Sequence, residues 1–320
     1  MTPPSSITPI SSRYTQGIAL NHPLKLAYDS VGDPNDPAVL LIMGLGSQMT
    51  AWPLPLCQAI ASQGFYVIRF DNRDIGLSGK LEGVRPPALI RVMLAGLFGL
   101  KLNTPYTLED MAQDAIDLLD ELKIEKAHVL GASMGGMIAQ LMAIHHPDRL
   151  LSLSAIMSTT SEEHLPRGKL SLLWELFKPQ PKEQSLEQSI NRLMHLCTKA
   201  GGEKYREDPQ TMEKRFRVYL QRAYYPEGGA RQSAAVAAAS SRKKLLSQIE
   251  LPTLVIHGTE DPLLPHAHGV ALAEAIPGAR FESIEGMGHD LPLPLVPVLT
   301  EKIVSHLIAG RPKNLQVLSA

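Results

Sequence analysis

Short apolar runs alternate along the chain with longer segments in which apolar residues recur every three or four positions. A run of about four to eight apolar residues between turn residues predicts a buried strand, whereas the longer recurrence predicts an amphipathic helix. The runs that predict strands lie at 23–32, 38–43, 65–70, 127–130, 151–157, 252–258 and 279–285. Because helical segments separate these runs, the pattern predicts an α/β fold built around a parallel sheet.

The clearest of the predicted helices is "TLEDMAQDAIDLLDEL" at 107–122, where Thr107 and Asp110 have the spacing of a capping box. A final helix is predicted from Leu293 to Ala309. Other helical segments occupy 55–64, 135–146 and 267–276. Their positions match the crossover connections that join parallel strands.

The pattern changes between residues 158 and 248. Buried-strand runs are absent there, and charged helical segments with the turn-rich stretches "KPQPKEQ" and "YYPEGGARQ" replace them. We therefore predict a helical cap at 158–248, inserted into a core made of 1–157 and 249–320. The apolar segment 86–102 contains Arg91 and is shorter than the ~20 residues of a membrane span, so we interpret it as a buried or lid helix rather than a membrane-surface contact.

Composition limits the class of partner. Of the 320 residues 44% are apolar, and 31 basic against 32 acidic residues give a formal net charge of -1. Such a chain has no electrostatic attraction to nucleic acid or to an anionic membrane, so we expect a small-molecule partner, no nucleic acid and no stable membrane insertion. The 2 cysteines, Cys57 and Cys197, are expected to be free thiols, and the first twenty residues lack a secretory signal. Both features favour a cytoplasmic location.

A glycine-rich turn, "GASMGG", follows one of the predicted strands. Ser133 lies at its centre, two positions from Gly131 and two from Gly135. A sharp strand-to-helix turn of this G-x-S-x-G type exposes a serine hydroxyl as a nucleophile, and the glycines leave space that a Cβ would occupy. The helix that follows presents backbone N–H groups, so the Met134 N–H is a candidate donor to an oxyanion.

A nucleophilic serine needs a histidine base, and the histidine needs a carboxylate to orient it. His289 in "EGMGHDLP" lies in a loop between the last predicted strand and the last helix. Asp261 in "HGTEDPLLP" follows another strand, and the Asp-Pro step favours an extended backbone there, so we prefer it to Glu260. The predicted triad has the chain order Ser133, Asp261, His289. A less favoured position for the acid, after the strand at 151–157, offers only glutamates: Glu162 and Glu163.

A second oxyanion donor is expected from the loop "MGLGS", which follows the buried strand at 38–43. The Leu45 N–H is the candidate, because Gly44 and Gly46 on either side let the chain bend and a substrate approach.

Other polar residues near the predicted site receive structural interpretations. His257 ends a buried strand and is interpreted as a hydrogen-bonded structural residue. Asp71 and Asp74 in "DNRDIGLSG" are interpreted as hydrogen-bond acceptors that hold this loop around Arg73.

These stretches together resemble the α/β-hydrolase family: the turn at Ser133, "DNRDIGLSG" in place of the family's D-x-R-G-x-G-x-S loop, "HGTEDPLLP" and "GMGHDLP". "GASMGGMIAQ" and "IMSTT" make the chain most similar to the bacterial carboxylesterase branch that includes aclacinomycin methylesterase. The resemblance covers nearly the whole chain outside 158–248. The chain departs from the family at Met43, where many members have histidine, and at Asp74, where the loop usually has glycine.

The resemblance implies a mostly parallel eight-stranded sheet flanked by helices, a helical cap after the sixth strand, and serine ester hydrolysis with no cofactor and no metal. Our leading hypothesis is therefore a carboxylic ester hydrolase for small to medium apolar acyl or alkyl groups, working as a monomer or homodimer through an acyl-enzyme on Ser133. The alternatives are a lactonase, an iminopeptidase or a perhydrolase of the same fold, or a non-catalytic receptor for a small ligand.

Overall fold

The computed structural model describes residues 14–19, 24–98, 102–177 and 184–310. The start of the chain, on which the expectation of no secretory signal rests, and most of "KPQPKEQ" lie outside these ranges. Within them the protein forms an eight-stranded sheet. Its strands are β1 (Tyr14–Ala19), β2 (Leu26–Val31), β3 (Ala38–Ile42), β4 (Tyr66–Phe70), β5 (Ala127–Ala132), β6 (Leu150–Ile156), β7 (Thr253–Gly258) and β8 (Arg280–Ile284).

The order across the sheet is β1-β2-β4-β3-β5-β6-β7-β8. The pairs β1/β2 and β2/β4 are antiparallel, and all other neighbours are parallel. The predicted α/β fold with a mostly parallel sheet is therefore confirmed, and the seven predicted strands are β2 to β8. The residues of β1, "YTQGIA", did not predict a strand, because a strand at the edge of a sheet needs no continuous apolar run.

Helices connect the parallel strands. Those of the described residues are α1 (Leu54–Ala61), α2 (Leu89–Phe98), α3 (Leu108–Glu121), α4 (Met134–His145), α5 (Leu170–Phe177), α6 (Leu186–Ala200), α7 (Pro209–Arg222), α8 (Pro226–Ala238), α9 (Lys243–Leu246), α10 (Ala267–Ala275) and α11 (Val296–Ala309). α3 begins with the predicted capping box: the Thr107 hydroxyl accepts a hydrogen bond from the Asp110 N–H at 3.2 Å, and the Asp110 carboxylate accepts one from the Thr107 N–H at 2.8 Å.

The stretch "YYPEGGARQ" is not a turn, as its composition suggested, but the start of α8. Pro226 is tolerated at the first helical position, where a backbone N–H would have no partner in the helix. Gly228 is needed because a Cβ there would lie 2.1 Å from the Asp74 carbonyl oxygen. Gly228 therefore permits close packing of the helix rather than a turn.

Apolar side chains fill both faces of the sheet. β3 is buried along its length, with Leu40 in the core on one face and Leu41 in the core on the other. Helices α3, α4 and α10 cover the first face, and α1 and α11 cover the second. The two cysteines are free, as expected, and burial raises the pKa of the Cys57 thiol to about 11 and that of Cys197 to about 12.

The predicted site residues all follow strands of the sheet: Leu45 follows β3, Ser133 follows β5, Asp261 follows β7 and His289 follows β8. Because these strands are parallel, their carboxyl ends lie at one edge of the sheet, where ligands of such folds bind. Helices α5 to α9 stand between β6 and β7 in the chain, the position expected for a cap. Among the described residues, no helix combines the length and the apolar character required to span a membrane.

Candidate active site

Ser133 lies in the sharp turn that joins β5 to α4. Its backbone has φ of 54° and ψ of -118°, a strained conformation for a residue with a side chain. Its N–H donates to the Ile156 carbonyl at 2.9 Å, and its carbonyl accepts from the Gly136 N–H at 2.9 Å and from the Ser158 hydroxyl at 2.9 Å. These hydrogen bonds hold the strained turn, and none of them uses the Ser133 hydroxyl.

The two glycines beside Ser133 are required for the reason that the sequence suggested. A Cβ on Gly131 would lie 2.1 Å from the carbonyl oxygen of Gly135, at the start of α4. A Cβ on Gly135 would lie 2.0 Å from the carbonyl oxygen of Ile42, at the end of β3. Any side chain at either position would push the serine turn away from its neighbours.

The structure brings the three predicted triad residues together. The Ser133 Oγ lies 2.9 Å from His289 Nε2, and His289 Nδ1 lies 2.6 Å from Asp261 Oδ2. The other carboxylate oxygen of Asp261 accepts from two backbone N–H groups, those of Leu263 at 2.9 Å and Leu264 at 2.8 Å. This arrangement fixes the carboxylate so that it faces the imidazole.

The electrostatic environment keeps Asp261 ionised. Burial by itself opposes ionisation, but His289 and His257, by charge and by hydrogen bonding, hold the pKa of the carboxyl well below its usual range. An ionised Asp261 can only accept from His289, so the Nδ1 of His289 carries the proton and its Nε2 presents a lone pair to the Ser133 hydroxyl.

His257 is more than the structural residue that the sequence suggested. Its Nε2–H donates to the Leu264 carbonyl at 2.7 Å, as expected of a buried structural histidine. The same nitrogen lies 3.4 Å from Asp261 Oδ2, so the carboxylate is flanked by two histidines. The sequence signal for this contact is the short separation of the two residues: His257 lies near the end of β7, and Asp261 follows three residues after the strand.

The loop after β3 carries the predicted donor, the Leu45 N–H, close to the serine. Gly44 packs on Ser133, since a Cβ at Gly44 would lie 3.2 Å from the Ser133 Cβ. The four amides after Leu45 are occupied: Gly46 donates to Gln232 Oε1, Ser47 to the Gly44 carbonyl, Gln48 to the Tyr219 hydroxyl and Met49 to Asp71. For the Leu45 N–H itself, no acceptor is found among the described residues.

Met134 supplies the other predicted donor. It is the first residue of α4, so its N–H has no carbonyl partner within the helix. The start of α4 lies against the end of β3, as the close approach of Gly135 to Ile42 shows. The Leu45 and Met134 amides therefore belong to two segments that meet beside Ser133.

The acidic residues of "DNRDIGLSG" are hydrogen-bond acceptors as expected, but Arg73 is not their partner. Arg73 instead forms a bidentate pair with Asp114 of α3, at 2.5 and 2.6 Å. Asp71 pairs with Arg222 at 2.8 Å, and Asp74 is held by Arg231. Both of these arginines come from the segment 158–248, so the loop is anchored on α7 and α8.

Three residues that the sequence did not single out surround the loop containing Leu45: Gln48, Tyr219 and Gln232. Gln48 donates its side-chain amide to the carbonyls of Tyr219 and Ala223 at 2.8 Å each, and accepts from Arg222 at 2.7 Å. Burial raises the pKa of Tyr219 to about 12, which keeps its hydroxyl protonated. Glutamine and tyrosine have no signature in the sequence, because their partners lie 159 to 186 positions away along the chain.

Within the described part of the chain, no group of three or more His, Cys, Asp or Glu side chains is arranged to hold a metal ion.

Comparison with known proteins gives the family. A sequence profile of the α/β-hydrolase fold matches residues 37–294. The chain belongs to the α/β-hydrolase family. Rhodomycin D methylesterase DauP from Streptomyces sp. (strain C5) is 30% identical over 302 residues, which cover 88% of this chain and 94% of that protein. 3-Oxoadipate enol-lactonase 2 from Acinetobacter baylyi is 28% identical over 271 residues, which cover 84% and 86%.

Solved structures agree on the fold of this α/β-hydrolase. An enol-lactonase from Burkholderia xenovorans LB400 superposes with a TM-score of 0.68 at 24% identity, covering 92% of this chain and 99% of that one. A thermophilic esterase from Thermogutta terrifontis gives a TM-score of 0.67 at 22% identity, covering 94% and 100%. The predicted family is confirmed, and the names of these relatives support the predicted class of enzyme.

Proposed function

We propose that this α/β-hydrolase is a carboxylic ester hydrolase with Ser133 as nucleophile, His289 as general base and Asp261 as the carboxylate that orients the base. The observation that supports this most is the unbroken chain of contacts from Ser133 Oγ through the His289 ring to Asp261, at 2.9 and 2.6 Å. Nucleophile, base and orienting acid lie within hydrogen-bonding distance, as acyl transfer requires.

The reaction follows from these contacts. His289 Nε2 takes the hydroxyl proton as Ser133 Oγ attacks the ester carbonyl, and Asp261 stabilises the imidazolium that forms. The carbonyl oxygen becomes an oxyanion and accepts from the Leu45 and Met134 N–H groups. His289 then gives its proton to the leaving alcohol, which leaves an acyl group on Ser133. Water, deprotonated by the same nitrogen, attacks the acyl-enzyme, and His289 returns that proton to Ser133 Oγ as the bond to the acyl group breaks and the acid is released.

The substrates we propose are esters with small to medium apolar acyl or alkyl groups. The segment 158–248 would act as the cap over the site, together with α2 from the apolar segment 86–102. Two observations support this: α2 packs against α8, and α8 contacts the core loops at Asp74 and Gly46. An apolar pocket between these helices and the triad would leave the ester carbonyl beside Ser133.

Lactone hydrolysis is the second candidate. A lactone is a cyclic ester, and the same triad and oxyanion donors would open it. The enol-lactonases among the relatives, at 28% identity over most of both chains, favour this candidate over amide or peracid chemistry.

The test compares the wild type with Ser133→Ala on p-nitrophenyl acetate, p-nitrophenyl butyrate and δ-valerolactone. Loss of the nucleophile should lower kcat by about 10⁴- to 10⁶-fold, as in other serine triads. Ser62→Ala is the matched control, because Ser62 is exposed and its hydroxyl bonds only to nearby residues, the Ala59 carbonyl at 2.8 Å and the Gln63 side chain at 3.5 Å. Activity that survives Ser133→Ala would refute the nucleophile, and the ratio of kcat/KM for lactone and open ester separates the two candidates.

A further inference from the structure

Gln232 of α8 lies fully buried between two loops of the core. Its Oε1 accepts from the Gly46 N–H at 2.8 Å, and its Nε2 donates to the Arg73 carbonyl at 2.9 Å. One side chain therefore satisfies a donor in the loop after β3 and an acceptor in the loop after β4. Both of its functional groups are used on backbone atoms of the core, and neither bonds within α8.

The bond to Gly46 is adjacent to the amide that the proposed oxyanion hole uses. The Leu45 N–H belongs to the peptide just before the one that Gln232 holds. Gly46 has φ of 69°, and a Cβ there would meet nothing within 4 Å, so local packing does not restrain it. A glycine on either side gives Leu45 wide conformational freedom, and the orientation of its N–H must come from outside the loop.

A second contact from the same segment supports the first. The Tyr219 hydroxyl of α7 accepts from the Gln48 N–H at 2.9 Å and donates to the Gly46 carbonyl at 3.3 Å. The peptide groups on both sides of Gly46 are thus bonded to side chains of α7 and α8.

We propose that Gln232 is a positioning residue for the oxyanion hole: it holds the Gly46 peptide so that the Leu45 N–H points at the carbonyl oxygen attacked by Ser133. The proposal rests on the proposed hydrolytic function, because only that reaction creates an oxyanion. It makes the donor geometry depend on α8, although both donors belong to the core. An oxyanion hole built in this way is complete only when α8 is packed against the loop.

The test replaces Gln232 by leucine, which has a similar size but can neither accept nor donate. An interaction that acts mainly in the transition state lowers kcat and leaves KM nearly unchanged, so we expect kcat to fall about 10- to 100-fold with KM within about 3-fold of wild type. Gln232→Glu keeps an oxygen for the Gly46 N–H and loses the donor to Arg73, so it should recover part of kcat. Ser233→Ala is the matched control, because its hydroxyl bonds only to the Gly229 carbonyl inside α8.

Two further measurements do not depend on turnover. Amide hydrogen exchange of the peptide covering residues 44–49 should be faster in Gln232→Leu than in Ser233→Ala. Labelling of Ser133 by a fluorophosphonate, whose phosphoryl oxygen occupies the oxyanion hole, should slow by a factor similar to the fall in kcat. Inactive wild type, or active Ser133→Ala, would count against the hydrolytic function and hence against this role as well.

Failure of the positioning role gives a different pattern. In that case the wild type is active, Ser133→Ala is inactive, and Gln232→Leu matches Ser233→Ala in kcat, in fluorophosphonate labelling and in exchange at 44–49. A raised KM with unchanged kcat would likewise overturn the proposal, because it would make Gln232 part of the substrate pocket instead.

Discussion

The folding stability of this protein should depend strongly on the ion pair between Arg231 in α8 and Asp74 in the loop after β4. The pair is bidentate, at 2.8 and 3.0 Å, and both side chains are fully buried. Arg231 also donates to the Val84 carbonyl at 2.6 Å and to the Tyr225 hydroxyl at 3.0 Å. We predict that Arg231→Met destabilises the protein strongly, because it leaves the Asp74 carboxylate buried beside an apolar side chain.

The size of the effect follows from the burial. Removing one partner of a buried pair costs about 3–5 kcal/mol in free energy of unfolding, since the remaining charge has neither water nor a counter-ion. In Arg231→Met, Asp74 would keep the bond from the Leu81 N–H at 2.8 Å and the interaction with the Tyr106 hydroxyl, and neither of these carries a positive charge. For a 320-residue chain with an unfolding entropy of about 2.1 cal/mol/K per residue, that cost lowers Tm by about 4–8 °C.

The pH dependence has a definite sign. Burial would raise the pKa of Asp74, but hydrogen bonding and charge from Arg231 outweigh it and hold the pKa below its usual value. In the wild type this stabilisation is present above the pKa of an unfolded aspartate and is lost as pH falls through the folded value. Without Arg231, burial should raise the pKa, so that Asp74 becomes protonated at mildly acidic pH. The deficit of Arg231→Met should therefore shrink as pH is lowered from 8 to 5.

The assay is urea and thermal unfolding at pH 8 and pH 5. Arg217→Met is the matched control, because Arg217 pairs with Glu187 and Glu213 on the surface, where ion pairs contribute little. The double variant Arg231→Met with Asp74→Asn should recover part of the loss, since it buries no charge. A Tm for Arg231→Met equal to that of Arg217→Met at both pH values would refute the reasoning.

Two further predictions concern packing and charge beside the triad. Gly135→Ala should lower the free energy of unfolding by about 1–3 kcal/mol or more and reduce ester hydrolysis, because its Cβ would lie 2.0 Å from the Ile42 carbonyl oxygen. Gly229→Ala is the control and should not lower Tm, because its Cβ would meet its nearest atom at 3.7 Å. Equal Tm values for the two variants would contradict the prediction. Burial raises the pKa of Asp290 to about 7, so the folded protein binds a proton that the unfolded chain releases, and stability falls as pH rises from about 4 to 7. Urea unfolding should therefore show Asp290→Asn to be more stable than wild type by about 1–3 kcal/mol at pH 8 and little different at pH 4. Glu82→Gln, at an exposed position, is the control. If Asp290→Asn gains the same stability at both pH values, burial of the Asp290 carboxyl is not the cause.

Much of the sheet could be predicted from local pattern. The central strand β3 is an unbroken apolar run because both of its faces are buried. The start of α3 could be predicted from the capping box at Thr107. β1 could not be predicted, since its pairing with β2 at the edge of the sheet requires no apolar run. The start of α8 was misinterpreted because the glycines and the proline of "YYPEGGARQ" have the same composition whether they form a turn or permit close packing.

The candidate triad could also be predicted, for a reason specific to parallel sheets. Ser133, Asp261 and His289 each follow a strand, and parallel strands place their carboxyl ends together, so chain order alone brings the three side chains to one edge. The turn type predicted that a side chain at Gly135 would collide with its neighbours, and in the structure a Cβ there would lie 2.0 Å from the Ile42 carbonyl oxygen. No comparable rule connects His257 in β7 to Asp261 in the following loop, because their short separation in the chain does not fix whether the two side chains face each other.

The sequence by itself therefore determined the α/β alternation, the strained turn at Ser133 and the order of the candidate catalytic residues, because periodicity and turn chemistry act over a few neighbouring positions. Only the tertiary structure decided that Arg231 pairs with Asp74 and that Gln232 bonds to Gly46, across 157 and 186 positions of the chain. A hydrogen bond forms between whichever groups the packed backbone brings within about 3 Å, and that distance depends on every intervening strand and helix.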